Sequence, residues 1–142
     1  MKRFHFRLEK LLTIRRHREE KLEIELAKTV SRVLSIQNDI KLRQTEKKRV
    51  FGADSAGDLE YEFVKGKYIY RLEKEIINSG KDLEKALIER EKAKEKFLEA
   101  SRERKVLDKL KERKQAEFYH EQKKEEIKES DDTVTANIGR ER

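Results

Sequence analysis

The sequence predicts an all-α fold, a long antiparallel two-helix coiled-coil hairpin. Two observations predict the helices: the 142 residues include no proline, and apolar residues recur at alternating steps of three and four, the heptad pattern of a coiled coil. A third observation predicts the hairpin, because only residues 51–58, FGADSAGD, concentrate turn-forming residues. A short connection between two long helices makes them antiparallel neighbours.

The composition favours an elongated helical protein over a globular domain. Charged residues make up 47% of the chain and hydrophobic residues 35%, with a mean hydropathy of −1.07, as in long helices and coiled coils. Intrinsic disorder is the rival interpretation of so charged a chain. The near balance of 37 basic and 30 acidic residues, and the regular spacing of leucine and isoleucine, favour the coiled coil.

The heptad pattern defines one apolar seam on each helix. The predicted seam of the first helix comprises Leu8, Leu12, Arg15, Glu19, Leu22, Leu26, Thr29, Val33, Ile36 and Ile40, weakens at Arg43 and Lys47, and resumes at Val50. The predicted seam of the second comprises Ile69, Leu72, Ile76, Ser79, Leu83, Ala86, Arg90, Ala93, Phe97, Ala100, Arg104 and Leu107.

These patterns predict helix one over about 4–50, the turn over about 51–58 and helix two over about 59–128, in a single domain 1–128. Residues 129–142 lose the periodicity and are expected to be frayed or disordered. Ser55 followed by Asp58 resembles a capping box with aspartate in place of glutamate, which predicts that helix two starts here.

A tight turn would place Val50 opposite Leu59 and so determine the register of the hairpin. The resulting neighbours are Ile40 with Ile69, Val33 with Ile76, Leu26 with Leu83, Leu12 with Phe97, Thr29 with Ser79 and Gly80, and Glu19 with Arg90. In this register, polar breaks in one seam meet polar breaks in the other. Much of ERKVLDKLKERK, residues 103–114, then extends beyond helix one, which leaves Leu107, Leu110 and Phe118 for another protein.

Candidate catalytic and metal-binding groups are absent from the sequence pattern, so neither enzymatic activity nor a cofactor is expected. The chain has no cysteine, and its three histidines lack metal-ligand spacing. No apolar run approaches the ~18 residues of a membrane span. There is also no secretion signal, so we expect a cytoplasmic protein without a transmembrane segment.

The net charge of +7 is compatible with nucleic acid, acidic lipid or an acidic protein surface. The basic run 15–18 is followed at once by Glu19 and Glu20 and lacks interleaved aromatic residues, so no specific nucleic-acid binding is expected. The aromatic residues near the turn are expected to pack at the hairpin tip, with a second contact surface as the alternative: Tyr61, Phe63, Tyr68 and Tyr70.

Two segments resemble the FliJ family of flagellar type III export proteins. Residues 4–27, FHFRLEKLLTIRRHREEKLEIELA, are similar to the family's opening pattern of Phe, Leu and Arg followed by Glu and Leu. Residues 100–122, ASRERKVLDKLKERKQAEFYHEQ, are similar to its late segment of Glu-Arg-Lys, a leucine pair and a following tyrosine. Between them, residues 28–99 match in heptad character alone.

The resemblance implies an export-ATPase-associated coiled coil, similar to the central stalk subunit of rotary ATPases. Its implied partners are the hexameric flagellar export ATPase, the cytoplasmic domain of the export gate and the export chaperones. The implied location is the cytoplasm, peripheral to the inner membrane at the flagellar base, and the chain is expected to be monomeric in isolation. A homodimeric structural coiled-coil scaffold is the alternative.

Mapped onto this chain, the resemblance places the partner-binding residues at the end of the hairpin that carries both termini. From helix one they are Leu8, Leu11, Leu12, Arg15 and Arg16, and from helix two Glu103, Arg104, Lys105, Leu107, Lys109 and Leu110. The leucines would be apolar anchors and the cations would orient the protein in an acidic pore. Leu8, Leu12 and Leu107 also lie at seam positions, so they could simply close the coiled coil.

Overall fold

The computed structural model describes residues 2–54 and 56–141. Helix α1 spans Glu9–Phe51 with 43 residues, and helix α2 spans Leu59–Glu141 with 83 residues. No strand occurs among the described residues. Two ion pairs show that the helices run antiparallel. Arg32 pairs with Glu89, whereas Lys47, later in α1, pairs with Glu73, which is earlier in α2. The predicted all-α antiparallel hairpin is therefore confirmed.

The pattern of burial confirms both predicted seams. Every residue of the two seams is buried or half-buried, including polar ones such as Arg15, Thr29 and Ser79. On α1, most residues that lie between consecutive seam positions are exposed, as expected for a helix with a single apolar stripe. The seam is narrow: among the described residues, its buried hydrophobic members are Leu12, Val33, Leu72, Ala86, Ala100 and Leu107, and Phe6, before α1, is also buried.

Contacts within the chain group into two compact units. Unit one consists of the residues up to Glu19 together with those from Ala100, and its core contains Leu12, Ala100 and Leu107. Unit two consists of Glu20–Glu99, and its core contains Val33 with residues of α2. The single domain 1–128 remains a prediction.

The predicted register is wrong by about twelve positions, or roughly three turns of helix. It places residue 32 opposite residue 77, whereas Arg32 pairs with Glu89 at 3.3 Å. Unit one shows the same displacement, because Glu19 faces Arg104 and not Arg90. Polar seam positions do meet, as predicted, but with other partners, since Arg43 donates to the Ser79 hydroxyl at 2.9 Å.

The connection between the helices explains the register error. The prediction assumed a tight turn, but residues 52–54 lie beside the first turns of α2, where Lys65 Nζ donates to the Ala53 carbonyl at 2.9 Å. Gly57, with a φ of +81°, adopts the left-handed conformation that glycine tolerates. Heptad seams accept several registers with similar apolar matching, so the connection and the ion pairs decide among them.

Helix α2 begins with an aspartate cap. The Asp58 carboxylate accepts a hydrogen bond from the Glu60 backbone N–H at 3.1 Å, and the Asp58 carbonyl accepts one from Glu62 N at 3.0 Å. Asp58 is thus the N-cap itself, not the third helical position of a capping box. Ser55, the other residue of the predicted box, lies outside the described residues.

Both chain ends differ from the sequence expectation. Helix one was expected from about residue 4, but α1 begins at Glu9 and residues 2–6 have no regular secondary structure. Residues 129–141 were expected to fray, but α2 continues to Glu141, since the segment contains no proline and its threonines bond to carbonyls four residues back. Every residue from Lys123 to Arg140 is exposed, so this part of α2 makes few packing contacts.

A crosslink between α1 and α2 tests the observed register. The chain has no natural cysteine, so Arg32→Cys combined with Glu89→Cys gives a background-free pair. We expect a bismaleimide with a reach of about 10 Å to link them within one chain, because the native side chains meet at 3.3 Å. The matched control, Arg32→Cys with Ile77→Cys, adds about 18 Å along α2 and should stay unlinked. Linking of the control pair, measured by peptide mass spectrometry, would contradict this register.

Candidate partner-binding surface

The centre of unit one is a charged cluster across the seam. The Arg104 guanidinium donates to the carboxylates of both Glu19 and Asp108, and Arg16 Nη2 donates to Asp108 Oδ1 at 3.0 Å. The hydrogen bonds that Arg104 donates to Glu19 and Asp108 raise its pKa above the ordinary value. Burial alone would raise the pKa of Asp108, but the hydrogen bonds from Arg104 and Arg16 outweigh it and lower that pKa. Two of the predicted site residues, Arg16 and Arg104, are therefore engaged in holding the helices together.

Glu103 connects the other predicted arginine to α2. Arg15 Nη1 donates to the Glu103 carbonyl at 3.1 Å, and Arg18 pairs with the Glu103 carboxylate at 3.6 Å. The structure thus brings the α1 arginines and the start of ERKVLDKLKERK together. That stretch was expected to extend past helix one, but Lys111 pairs with Glu9 at 2.9 Å, so α1 covers it.

The predicted leucines divide into seam and surface residues. Leu12 is fully buried and Leu107 is nearly so, whereas Leu8 and Leu110 are half-buried. Leu11 is 37% exposed, beside Leu12 in the chain but outside the seam. Among these leucines, Leu11 is therefore the most accessible anchor for a partner.

Lys105 and Lys109 are both exposed, which agrees with their position off the seam. Two neighbouring apolar residues that were not predicted as site residues, Ile14 and Val106, are also exposed, each to 64%. The sequence could have identified them, because each is an apolar residue outside the heptad positions, where internal packing requires no apolar side chain. We add them to the candidate surface.

The aromatic residues near the turn form a second exposed surface in unit two. Phe63 and Tyr70 are 65% and 63% exposed, and lysine ammonium groups lie over both rings, with Lys67 Nζ at 4.6 Å from the Phe63 centroid. The expectation that the cluster packs at the tip fails for Phe63 and Tyr70, whereas Tyr68 contacts α1, since its hydroxyl donates to Glu46 Oε1 at 3.3 Å. Nearby, a cleft of about 980 Å³ is lined by Phe51, Gly66, Ile69, Ile76 and Ile77, with Lys47 and Lys48 at its edge.

Within the described residues, no group of three or more histidine, cysteine, aspartate or glutamate side chains is arranged to hold a metal ion. In the same part of the chain, neither helix contains a stretch that is long and apolar enough to cross a bilayer.

The described residues thus form a two-helix coiled coil with a thin seam and with exposed charged and aromatic surfaces. A family profile described as Flagellar FliJ protein matches residues 4–142, and the chain belongs to the FliJ family. It is accordingly a coiled-coil protein associated with flagellar type III export and its machinery, in a family of structural, export-associated proteins. No curated protein and no solved structure matches the chain.

Proposed function

We propose that the protein is a non-enzymatic stalk or adaptor of the flagellar type III export apparatus. It binds the hexameric export ATPase and couples that ring to the cytoplasmic domain of the export gate and to export chaperones. The family match over 4–142 is the observation that carries this proposal. We place the protein in the cytoplasm at the flagellar base, peripheral to the inner membrane and monomeric when free.

The ATPase-binding residues are assigned to the exposed part of unit one. Lys105 and Lys109 supply positive charge outside the internal ion pairs of the described residues, and Leu11 and Val106 supply apolar surface beside them along the chain. Cations steer and orient the protein toward an acidic pore, and the apolar side chains slow its dissociation. Arg16 and Arg104 act differently, because their bonds to Asp108 hold α1 and α2 together at this end.

The aromatic surface of unit two is assigned to a different partner. Aromatic side chains are frequent at protein interfaces, and Phe63 and Tyr70 are exposed here without an internal packing role. The gate domain and the chaperones are the proposed occupants of this surface. Separate surfaces in the two units let one chain hold the ATPase and a second partner.

Charge reversal of the two off-seam lysines tests the ATPase assignment. Lys105→Glu with Lys109→Glu should weaken binding to the export ATPase by about tenfold, because two attractive contacts become repulsive. Isothermal titration calorimetry with the purified ATPase measures the affinity, and circular dichroism should report unchanged helicity, since both side chains are exposed.

The matched control is Lys92→Glu with Lys96→Glu, two exposed lysines of unit two with the same four-residue spacing. We expect this control to bind as the unaltered protein does. Equal loss of affinity in both variants would indicate a general charge effect and remove the assignment. Light scattering tests the alternative function, because a persistent dimer at low micromolar concentration would favour the homodimeric scaffold over the export adaptor.

A further inference from the structure

The N-terminal segment of unit one is a non-helical strap, defined as residues 2–8. Burial alternates along it: Phe4, Phe6 and Leu8 are buried or half-buried, whereas Arg3, His5 and Arg7 are exposed. The heptad pattern gave no warning of this conformation. The period-two pattern in the sequence could have, because basic and apolar residues alternate from Arg3 to Leu8.

The apolar face of the strap is attached to α2. The Phe4 ring lies 5.5 Å from the Phe118 ring, and Phe6 is buried. Gln122 Nε2 donates to the Lys2 carbonyl at 3.2 Å at one end, and Glu9 N donates to the Phe6 carbonyl at 3.2 Å at the other. The strap therefore has a defined backbone in the free protein, which lowers the entropy that a partner must remove on binding.

The outward face of the strap carries positive charge that the described residues do not neutralise. Arg3 and Arg7 make no ion pair with any described carboxylate, whereas Lys111 and Lys114 on the facing part of α2 do. A cleft of about 670 Å³ lies beside the strap, with Phe4, Phe6, Leu8, Leu110 and Phe118 among its lining residues. Arg3 and Arg7 also line this cleft, so cations and apolar surface are available to the same ligand.

We propose that this cleft binds a segment of a partner protein in which carboxylates flank an apolar side chain. The apolar side chain enters between the strap and α2, and the carboxylates meet Arg3 and Arg7. A nucleic acid is a poorer fit, since the Phe4 ring packs against Phe118 and Phe6 is buried, so bases cannot stack on either ring. This inference rests on the proposed function, with the export ATPase as the protein that supplies the acidic segment.

The test compares three forms of the full-length chain for binding to the purified export ATPase by calorimetry at two salt concentrations. Arg3→Glu with Arg7→Glu should weaken binding by about tenfold and reduce the salt dependence, because long-range attraction is lost. The Lys92→Glu with Lys96→Glu control should bind as the unaltered protein does. Hydrogen exchange over residues 110–122 should be the same in all three forms, which shows that the strap remains attached.

A second variant tests whether the two arginines must be held against α2 in order to bind. Phe4→Ser with Phe6→Ser keeps both arginines but releases the strap, so we expect faster exchange over residues 110–122 and binding several-fold weaker than that of the unaltered protein. The weaker binding follows from lost preorganisation, because the binding of freely moving arginine side chains costs more entropy.

Each outcome distinguishes the inference from the proposed function. If the unaltered chain binds the ATPase and the Arg3→Glu with Arg7→Glu form binds equally well, the strap is not the binding surface, although the proposed function stands. If the unaltered chain does not bind the ATPase, the proposed function fails and this inference fails with it. Binding of a 20-base-pair DNA duplex that the arginine substitutions abolish would identify a nucleic-acid site and overturn the inference.

Discussion

Replacing Leu12 by alanine should lower the free energy of unfolding of unit one by about 3 kcal/mol. Leu12 is 0% exposed and lies in a seam with few buried hydrophobic residues, so the lost side chain leaves a cavity that its neighbours cannot easily fill. In a two-helix protein there is no second layer to compensate. Hydrogen exchange over residues 9–16 and 103–111 measures the loss locally, as faster exchange in both segments.

The control for this substitution is the adjacent residue. Leu11→Ala removes the same atoms from a side chain that is 37% exposed and outside the seam, so we expect a loss below about 1 kcal/mol. Similar losses in the two variants would mean that Leu12 is not held in a packed seam. The pair also separates stability from binding, because Leu11→Ala should weaken ATPase binding without accelerating exchange.

Arg104→Ala should destabilise unit one by about 2 kcal/mol at neutral pH. The substitution leaves the Glu19 and Asp108 carboxylates, with 15% and 23% of their side chains exposed, without their shared cation. The control is Arg113→Ala, since Arg113 is 68% exposed and pairs only within α2, at 3.9 Å from Glu117. We expect a change below about 0.5 kcal/mol for the control in thermal unfolding followed by circular dichroism.

The Arg104 effect should depend on pH in a defined direction. Hydrogen bonds lower the pKa of Asp108 in the folded chain, so its contribution to stability is present above its unfolded pKa of about 4 and is lost as the pH falls through the lower folded value. The difference between the unaltered chain and Arg104→Ala should therefore be largest at pH 7 and should shrink below about pH 4. A difference that stays constant down to pH 2 would show that the loss comes from packing and not from charge.

Much of the candidate site could be predicted from the sequence. The heptad steps identified Leu12 and Leu107 as seam residues, and the off-seam position of Lys105 predicted its exposure. The strap could not be predicted by the same argument, because a helical period was assumed as far as Phe4. Ile14 and Val106 were missed because a search for the seam ignores apolar residues outside it.

Local rules determined what the sequence alone could establish: two helices, their seams, and a break near Gly52 and Gly57. Side-chain periodicity and backbone preference depend on neighbours within a few residues, so they can be read without knowing the partner helix. Only the tertiary structure decided the register, the position of the aromatic surface and the attachment of the strap to Phe118. These features depend on which distant residues meet, and a repeating seam presents several nearly equivalent choices, among which the path of the connection and long-range pairs such as Glu19 with Arg104 select one.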